Sequence, residues 1–377
     1  MAGTPRRVNV VQELLQPASG CYRLAWSARR GYNTRQAAAP SKAGLIPLRA
    51  GGAARTDWCF LPRKRALAMD VELTRLGKHS LILHSPVMPA AGTFGYGECY
   101  TRLIRTDKLG AIVTNPVSLR PRRSARDTRA ISLPGGVLLH TGLPNPGVEK
   151  VIKAYRQLWA GSPVPIIVHL IDRNATDLRR CVRSLAGLPG VAGFELGVHE
   201  EATPDEVTGL IHTIATTTQL PLLVRVPLER ALDLSLTVAE SEAGAIVVGG
   251  PPRGMARDPL SGRIVHGRVF GPLIKAQALH AVARVAREIA SFNLPVIGAG
   301  GIHTPDDARD FIEAGARAVQ LDSVIWTRPQ DAEIIARDLG GYQLTREAGA
   351  FPDEWYPGIG DTDRKRNITP PPEVLPE

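Results

Sequence analysis

The chain has 377 residues, 44% of them hydrophobic and 22% charged, which is the balance of a folded globular protein; nowhere does it hold the roughly 18 consecutive apolar residues of a membrane-spanning helix. Its net charge of +10 points to a polyanionic partner until the charge is located: residues 1–68 carry twelve Lys or Arg against two acids, Glu13 and Asp57, so of the 46 basic and 36 acidic residues 34 of each sign fall in 69–377. A neutral remainder gives no global electrostatic footprint for nucleic acid, which is excluded as the partner of the folded part.

Residues 1–68 show no sustained helical or strand period and mix Arg with Ala, Gly and Pro, the composition of a poorly ordered basic leader. A regular pattern begins abruptly at Met69, which favours a chain start assigned too early, a genuine leader of unknown role, such as an organelle transit peptide, being the alternative. A small hairpin is expected over 71–83. Eight short apolar, β-branched runs follow, at 86–90, 110–114, 165–170, 192–197, 221–226, 244–248, 295–299 and 317–321. Amphipathic helical stretches lie between them, among them 147–159, 175–186, 204–216, 230–241, 272–291 and 305–314. Continuous apolar runs mark strands buried on both faces, and eight strand-then-helix units close into a (β/α)8 TIM barrel, assigned to 69–340 with the hairpin beneath it. Thr203-Pro204-Asp205-Glu206 and Thr304-Pro305-Asp306-Asp307 read as helix N-termini, and Gly315 as the glycine after a helix end. The stretch 341–377 is rich in Pro, Gly and charge and is expected to be a partly irregular tail, with a docking segment at Trp355 and Tyr356. Four cysteines (Cys21, Cys59, Cys99, Cys181) with no short paired spacing suggest reduced thiols, no metal site and a cytoplasmic protein.

In such a barrel ligands bind where the strands end, and a phosphate is commonly held after strands seven and eight. The seventh run leads into the glycine turn around Gly300 and Gly301, where backbone amides approach phosphate oxygens closely. It is not a dinucleotide fingerprint, because the G-x-G-x-x-G spacing is absent. Five stretches carry a further resemblance: SPVMPAAGTFGYGE (85–98), LGAIVTN (109–115), TGLPNPGVEKV (141–151), FGPLIKAQAL (270–279) and LPVIGAGGIHTPDDARDFIEAGARAVQL (294–321). In that order they resemble the dihydroorotate dehydrogenase family, and most of all its soluble class. The resemblance covers about 71–340 and implies FMN as cofactor. It places Ala91, Gly92, Asn115 and Arg225 at the flavin ring, Gly271, Gly300, Gly301 and Ser323 around the phosphate, and Asn145 at the substrate; His169, at the end of the third run, is a further substrate-side candidate from its position alone. It also implies a homodimer and, through the GTFGYGE and GLPNPG stretches, an iron-sulfur and FAD electron-transfer subunit as partner.

The resemblance fails at the base. The soluble class has an Asn-x-Ser-Cys-Pro-Asn run after strand four, where this chain has Gly197, Val198, His199, Glu200 and Glu201. A lysine after strand two is Asn115, an asparagine ahead of TGLPN is replaced near Leu139, the lysine of strand five is Arg225, an asparagine of strand six is Gly249 or Gly250, and Asp322 stands where a glycine is expected beside the phosphate. Arg225 keeps a positive charge near flavin N1. His199 and Glu200 are the replacement acid or base candidates; a solvated loop is their bland reading, and a packing role that of His169. The function so implied is an FMN-dependent oxidoreductase passing a hydride between a small organic substrate, at a carbon-carbon bond, and flavin N5, with an altered pocket. Alternatives are a genuine dihydroorotate dehydrogenase of pyrimidine biosynthesis and a flavin- or phosphate-binding barrel without turnover.

Overall fold

A computed structural model describes residues 70–74, 80–126 and 129–347. The leader and the Trp355–Tyr356 segment of the sequence reading lie outside them. The described chain opens with an antiparallel hairpin, β1 (Val71–Glu72) and β2 (Ile82–Leu83), Val71 opposite Leu83. Strands β3 (Val87–Pro89) and β4 (Ile112–Val113) precede an antiparallel pair, β5 (Arg129–Leu133) and β6 (Gly136–His140), and helix α1 (Val148–Ala160). Strand–helix units continue through β7 (Ile166–Leu170), α2 (Ala175–Leu185), β8 (Val191–Gly197), α3 (Pro204–Ala215), β9 (Leu222–Pro227), α4 (Ala231–Glu240) and β10 (Ala245–Gly250). A second antiparallel pair, β11 (Arg253–Arg257) and β12 (Ile264–Phe270), leads into α5 (Lys275–Glu288), β13 (Val296–Ala299), α6 (Pro305–Glu313), β14 (Ala318–Leu321), α7 (Ser323–Thr327) and α8 (Asp331–Glu347).

Eight of these strands form one parallel sheet in the order β3-β14-β13-β10-β9-β8-β7-β4. The Gly110 amide donates to the Val87 carbonyl at 2.8 Å between the two end strands, so the sheet closes as a barrel. All eight runs read from the sequence are barrel strands. Alternation along each strand divides the core in two. Met88, Val113, Ile167, Leu223, Val247 and Ile297 point inward and pack on Val71, Leu73, Leu81 and Leu83 of the hairpin, which plugs the floor. Their neighbours Val87, Ile112, Val168, Val224, Ile246 and Val296 point outward to the helices. The Thr203 and Thr304 hydroxyls cap α3 and α6, each in a reciprocal box with Glu206 or Asp307, which satisfies amides that a helix start leaves unpaired.

Two features differ from the sequence reading. The strands β11-β12-β6-β5 form a four-stranded antiparallel sheet, which the apolar-run criterion passes over because its β11 member alternates exposed and half-buried residues and is rich in Arg and Gly. Cys99 is disulfide-bonded, against the expectation of reduced thiols, while Cys181 is free and buried; wide spacing in sequence says nothing of spacing in the fold. Among the described residues no helix is long and apolar enough to cross a membrane.

Candidate functional site

The carboxyl ends of the barrel strands and the antiparallel sheet above them enclose a cavity of about 760 Å3. Each wall follows from where a strand stops. β3 gives way to Ala90, Ala91 and Gly92; Gly92 has φ +85, and a Cβ built there would meet nothing within 4 Å, so bare backbone faces open space. Asn115 follows β4, its amide fixed to the Gly95 carbonyl at 2.6 Å. His169, Gly197, Arg225 and Gly250 come from β7, β8, β9 and β10, and His266 and Arg268 from the roof strand β12.

Beneath this surface lies a buried polar network. The His169 Nδ1 is 2.8 Å from Glu195 Oε1, and Glu195 is wholly buried. The other carboxylate oxygen accepts from Gln320 Nε2 at 2.6 Å, and Gln320 Oε1 accepts from Arg225 Nη1 at 2.5 Å. Arg225 Nη2 donates to the Gly249 carbonyl at 2.9 Å. Burial pushes the Glu195 carboxyl up, but the His169 bond, the Arg225 charge and the Gln320 bond outweigh it and hold the group below its ordinary value. Glu195 is therefore a carboxylate, stable in the interior because each oxygen is bonded and a guanidinium lies 4.0 Å away. The imidazole fits because position 197 is glycine: a Cβ there would lie 2.8 Å from His169 Cε1 and 2.9 Å from Nε2.

Of the residues singled out in the sequence, Ala91, Gly92, Asn115, His169, His199 and Arg225 line the cavity together. His199 Nδ1 lies 3.4 Å from Glu201 Oε2. Glu200 is not on the wall; its carboxylate is paired with Arg253 Nε and Arg268 Nη1, which ties the loop after β8 to the roof. Asn145 also lies off the cavity, its Oδ1 accepting from Ser118 Oγ and the Gly147 amide, both at 3.0 Å. Gly271, Gly300 and Gly301 have φ of +121, +114 and +75. A Cβ on Gly301 would fall 2.8 Å from the Lys275 amide nitrogen and 2.9 Å from the Gly271 carbonyl oxygen, so backbone packing alone demands glycine there. The Ser323 amide and hydroxyl both donate to Asp322 Oδ1, at 2.5 and 2.9 Å.

The family model described as Dihydroorotate dehydrogenase matches residues 78–226 and 251–341. Among curated relatives, the dihydroorotate dehydrogenase B (NAD(+)) catalytic subunit of Desulforudis audaxviator is 31% identical over 278 residues, 70% of this chain and 90% of the relative. The subunits of the same description from Geotalea uraniireducens and Trichlorobacter lovleyi are each 31% identical, over 276 and 289 residues, covering 69% and 72% of this chain and 90% and 92% of theirs. The chain belongs to the dihydroorotate dehydrogenase family.

Seen as a dihydroorotate dehydrogenase family barrel, the chain has three site residues that sequence reasoning missed or underused: Glu195, Gln320 and Asp322. Glu195 and Gln320 interrupt the buried runs VAGFELG and AVQL, and a polar residue inside such a run is the signal that could have found them, since it needs a partner. Which partner it takes depends on the barrel's closure, because Glu195, Arg225 and Gln320 stand on three different strands.

Proposed function

We propose that this chain is a flavin-dependent oxidoreductase acting on a carbon-carbon single bond beside a carbonyl of a small organic substrate, in a pocket altered from that of its relatives. One observation carries the reading: an imidazole oriented by a buried carboxylate and a buried guanidinium reach one cavity at the carboxyl ends of the barrel strands. The residues fit the flavin ring, since the open space over Gly92 is a cradle that any side chain there would fill. Ala91, Gly92, Asn115 and Arg225 would hold it, and a bound flavin supplies hydride chemistry at N5. The Arg225 guanidinium would stabilise negative charge on the reduced ring. Glu195 keeps His169 Nδ1 protonated, which leaves Nε2 as the lone-pair position for a substrate proton, the arrangement by which a carboxylate orients a general base. His199 takes the second position on the wall, and Glu200, held by two guanidiniums, acts through Arg268 on the roof rather than on substrate.

A second reading, with dihydroorotate itself as substrate, is favoured by the printed descriptions of the relatives and by the 90% of their length that the chain matches. The description "catalytic subunit" supports pairing with an electron-transfer subunit of the iron-sulfur and FAD type, and the soluble class supports a homodimer. The test is to purify the full chain, record its visible spectrum, and mix it anaerobically with dihydroorotate and then with cyclic enones and their saturated forms. A yellow protein bleached by a saturated carbonyl compound but not by dihydroorotate is the expected result. Rapid bleaching by dihydroorotate establishes the second reading instead, and a colourless protein that takes up no flavin ends both.

A further inference from the structure

The cavity runs toward the end of β14, where a barrel of this kind commonly holds a phosphate. Its wall there is made by Asp322 and Trp326, four positions apart. Asp322 is only 3% exposed, and its Oδ1 already takes the Ser323 amide and hydroxyl. The Ser323 hydroxyl is also 2.8 Å from His303 Nε2, and burial holds that imidazole below its ordinary value, so it brings no cation to the carboxylate near neutral pH. The nearby Arg328 guanidinium is turned to the His303 carbonyl at 3.3 Å and to Asp331 at 3.0 Å. On the same wall the Trp326 ring is set edge-on against Phe270, centroids 5.1 Å apart.

These groups discriminate between two ligand ends. A phosphate offers only acceptors and about two negative charges; here it meets a carboxylate and finds the Ser323 donors taken. An alcohol carries no charge and can donate its proton to the Asp322 carboxylate. We propose that this end of the cavity selects a flavin whose side chain ends in a neutral hydroxyl, riboflavin, over phosphorylated FMN, with Asp322 as the excluding residue. The inference rests on the flavin reading above and replaces the FMN implied by family resemblance.

The experiment titrates full-length protein, stripped of bound flavin, with riboflavin and with FMN, following the flavin's fluorescence. Riboflavin is expected to bind at least as tightly as FMN. Asp322→Asn, which keeps an acceptor for Ser323 and removes the charge, is expected to shift the preference toward FMN, strengthening FMN binding relative to riboflavin binding by about tenfold or more, like-charge contacts being worth this much in binding. Wild-type protein that binds FMN more tightly than riboflavin, or a preference unmoved by Asp322→Asn, overturns the inference and leaves the flavin reading standing. If neither flavin binds, both fall. Should Asp322→Asn lose its native circular dichroism, the comparison on wild-type protein decides alone.

Discussion

Gly197 leaves the volume that the His169 imidazole fills, so the two positions form a testable unit. A methyl group at 197 would lie inside contact distance of Cε1 and Nε2 and must push the ring from its place between Glu195 and the cavity. Gly197→Ala is therefore expected to slow reduction of bound flavin by the best substrate by roughly 10²-fold, the usual worth of a positioned general base. His169→Asn should give a similar loss, and the double variant should lose little more, because both changes remove one function. Stopped-flow reduction at matched flavin content measures this. Additive losses would show that His169 is a packing residue and move the proton to His199. The pH profile separates the cases further: Glu195→Gln, which removes the carboxylate orienting Nδ1, should shift the profile of the rate rather than lower it uniformly.

The antiparallel roof depends on one element reaching another. β12 pairs with β6, Arg268 opposite Leu139, while Glu200 from the loop after β8 binds Arg268 and Arg253 on β12 and β11. Arg253 is 61% exposed and Arg268 38%, so solvent screens the pairs and their net worth is about 1 kcal/mol or less. Glu200→Gln should leave the midpoint of urea unfolding nearly unchanged yet speed amide exchange in β11 and β12; exchange no faster than in wild type would show that Glu200 does not hold the roof. This sheet marks the limit of what the sequence makes legible. The barrel strands are readable because stretches such as Ile166–Leu170 are buried at every position and so appear as unbroken apolar runs. β11 pairs along exposed, Arg- and Gly-rich sequence with its neighbour β12, and β12 is anchored by β6, far away in the chain, which no local pattern records. Of the site, Arg225 and His169 are legible as polar residues near the ends of apolar runs. Asp322 is legible as a misplaced acid, but the direction of its carboxylate, toward Ser323, is set by the turn into α7.

Across the whole molecule, the two-layered core and the buried network answer acid differently. The inward cluster of Val247, Ile297 and their neighbours is apolar and indifferent to protons. Glu195 and Asp307 are not. Burial raises both, but bonds from His169 and Gln320 in one case, and from Lys275 and the His303 amide in the other, win and depress them. A depressed carboxyl contributes stability that is fully present above its unfolded value, about 4, and is lost as pH falls through its folded value, because the unfolded chain binds the proton first. Glu98 and Asp172, raised chiefly by burial, work in the opposite sense: they hold protons better when folded and soften the loss. The expected net result is a fall in stability as pH drops below about 4, with Glu195 and Asp307 both contributing to it. Glu195→Gln isolates the Glu195 contribution. It should cost roughly 1–3 kcal/mol at pH 7, where a charge-assisted buried bond is lost, and should flatten the acid side of the stability curve, so that the gap between variant and wild type narrows as pH falls. Urea unfolding at intervals from pH 7 to about 3 reads both effects across the carboxyl range. A gap that stays constant would mean that Glu195 is already protonated in the folded protein, and would remove the carboxylate on which the orientation of His169 depends.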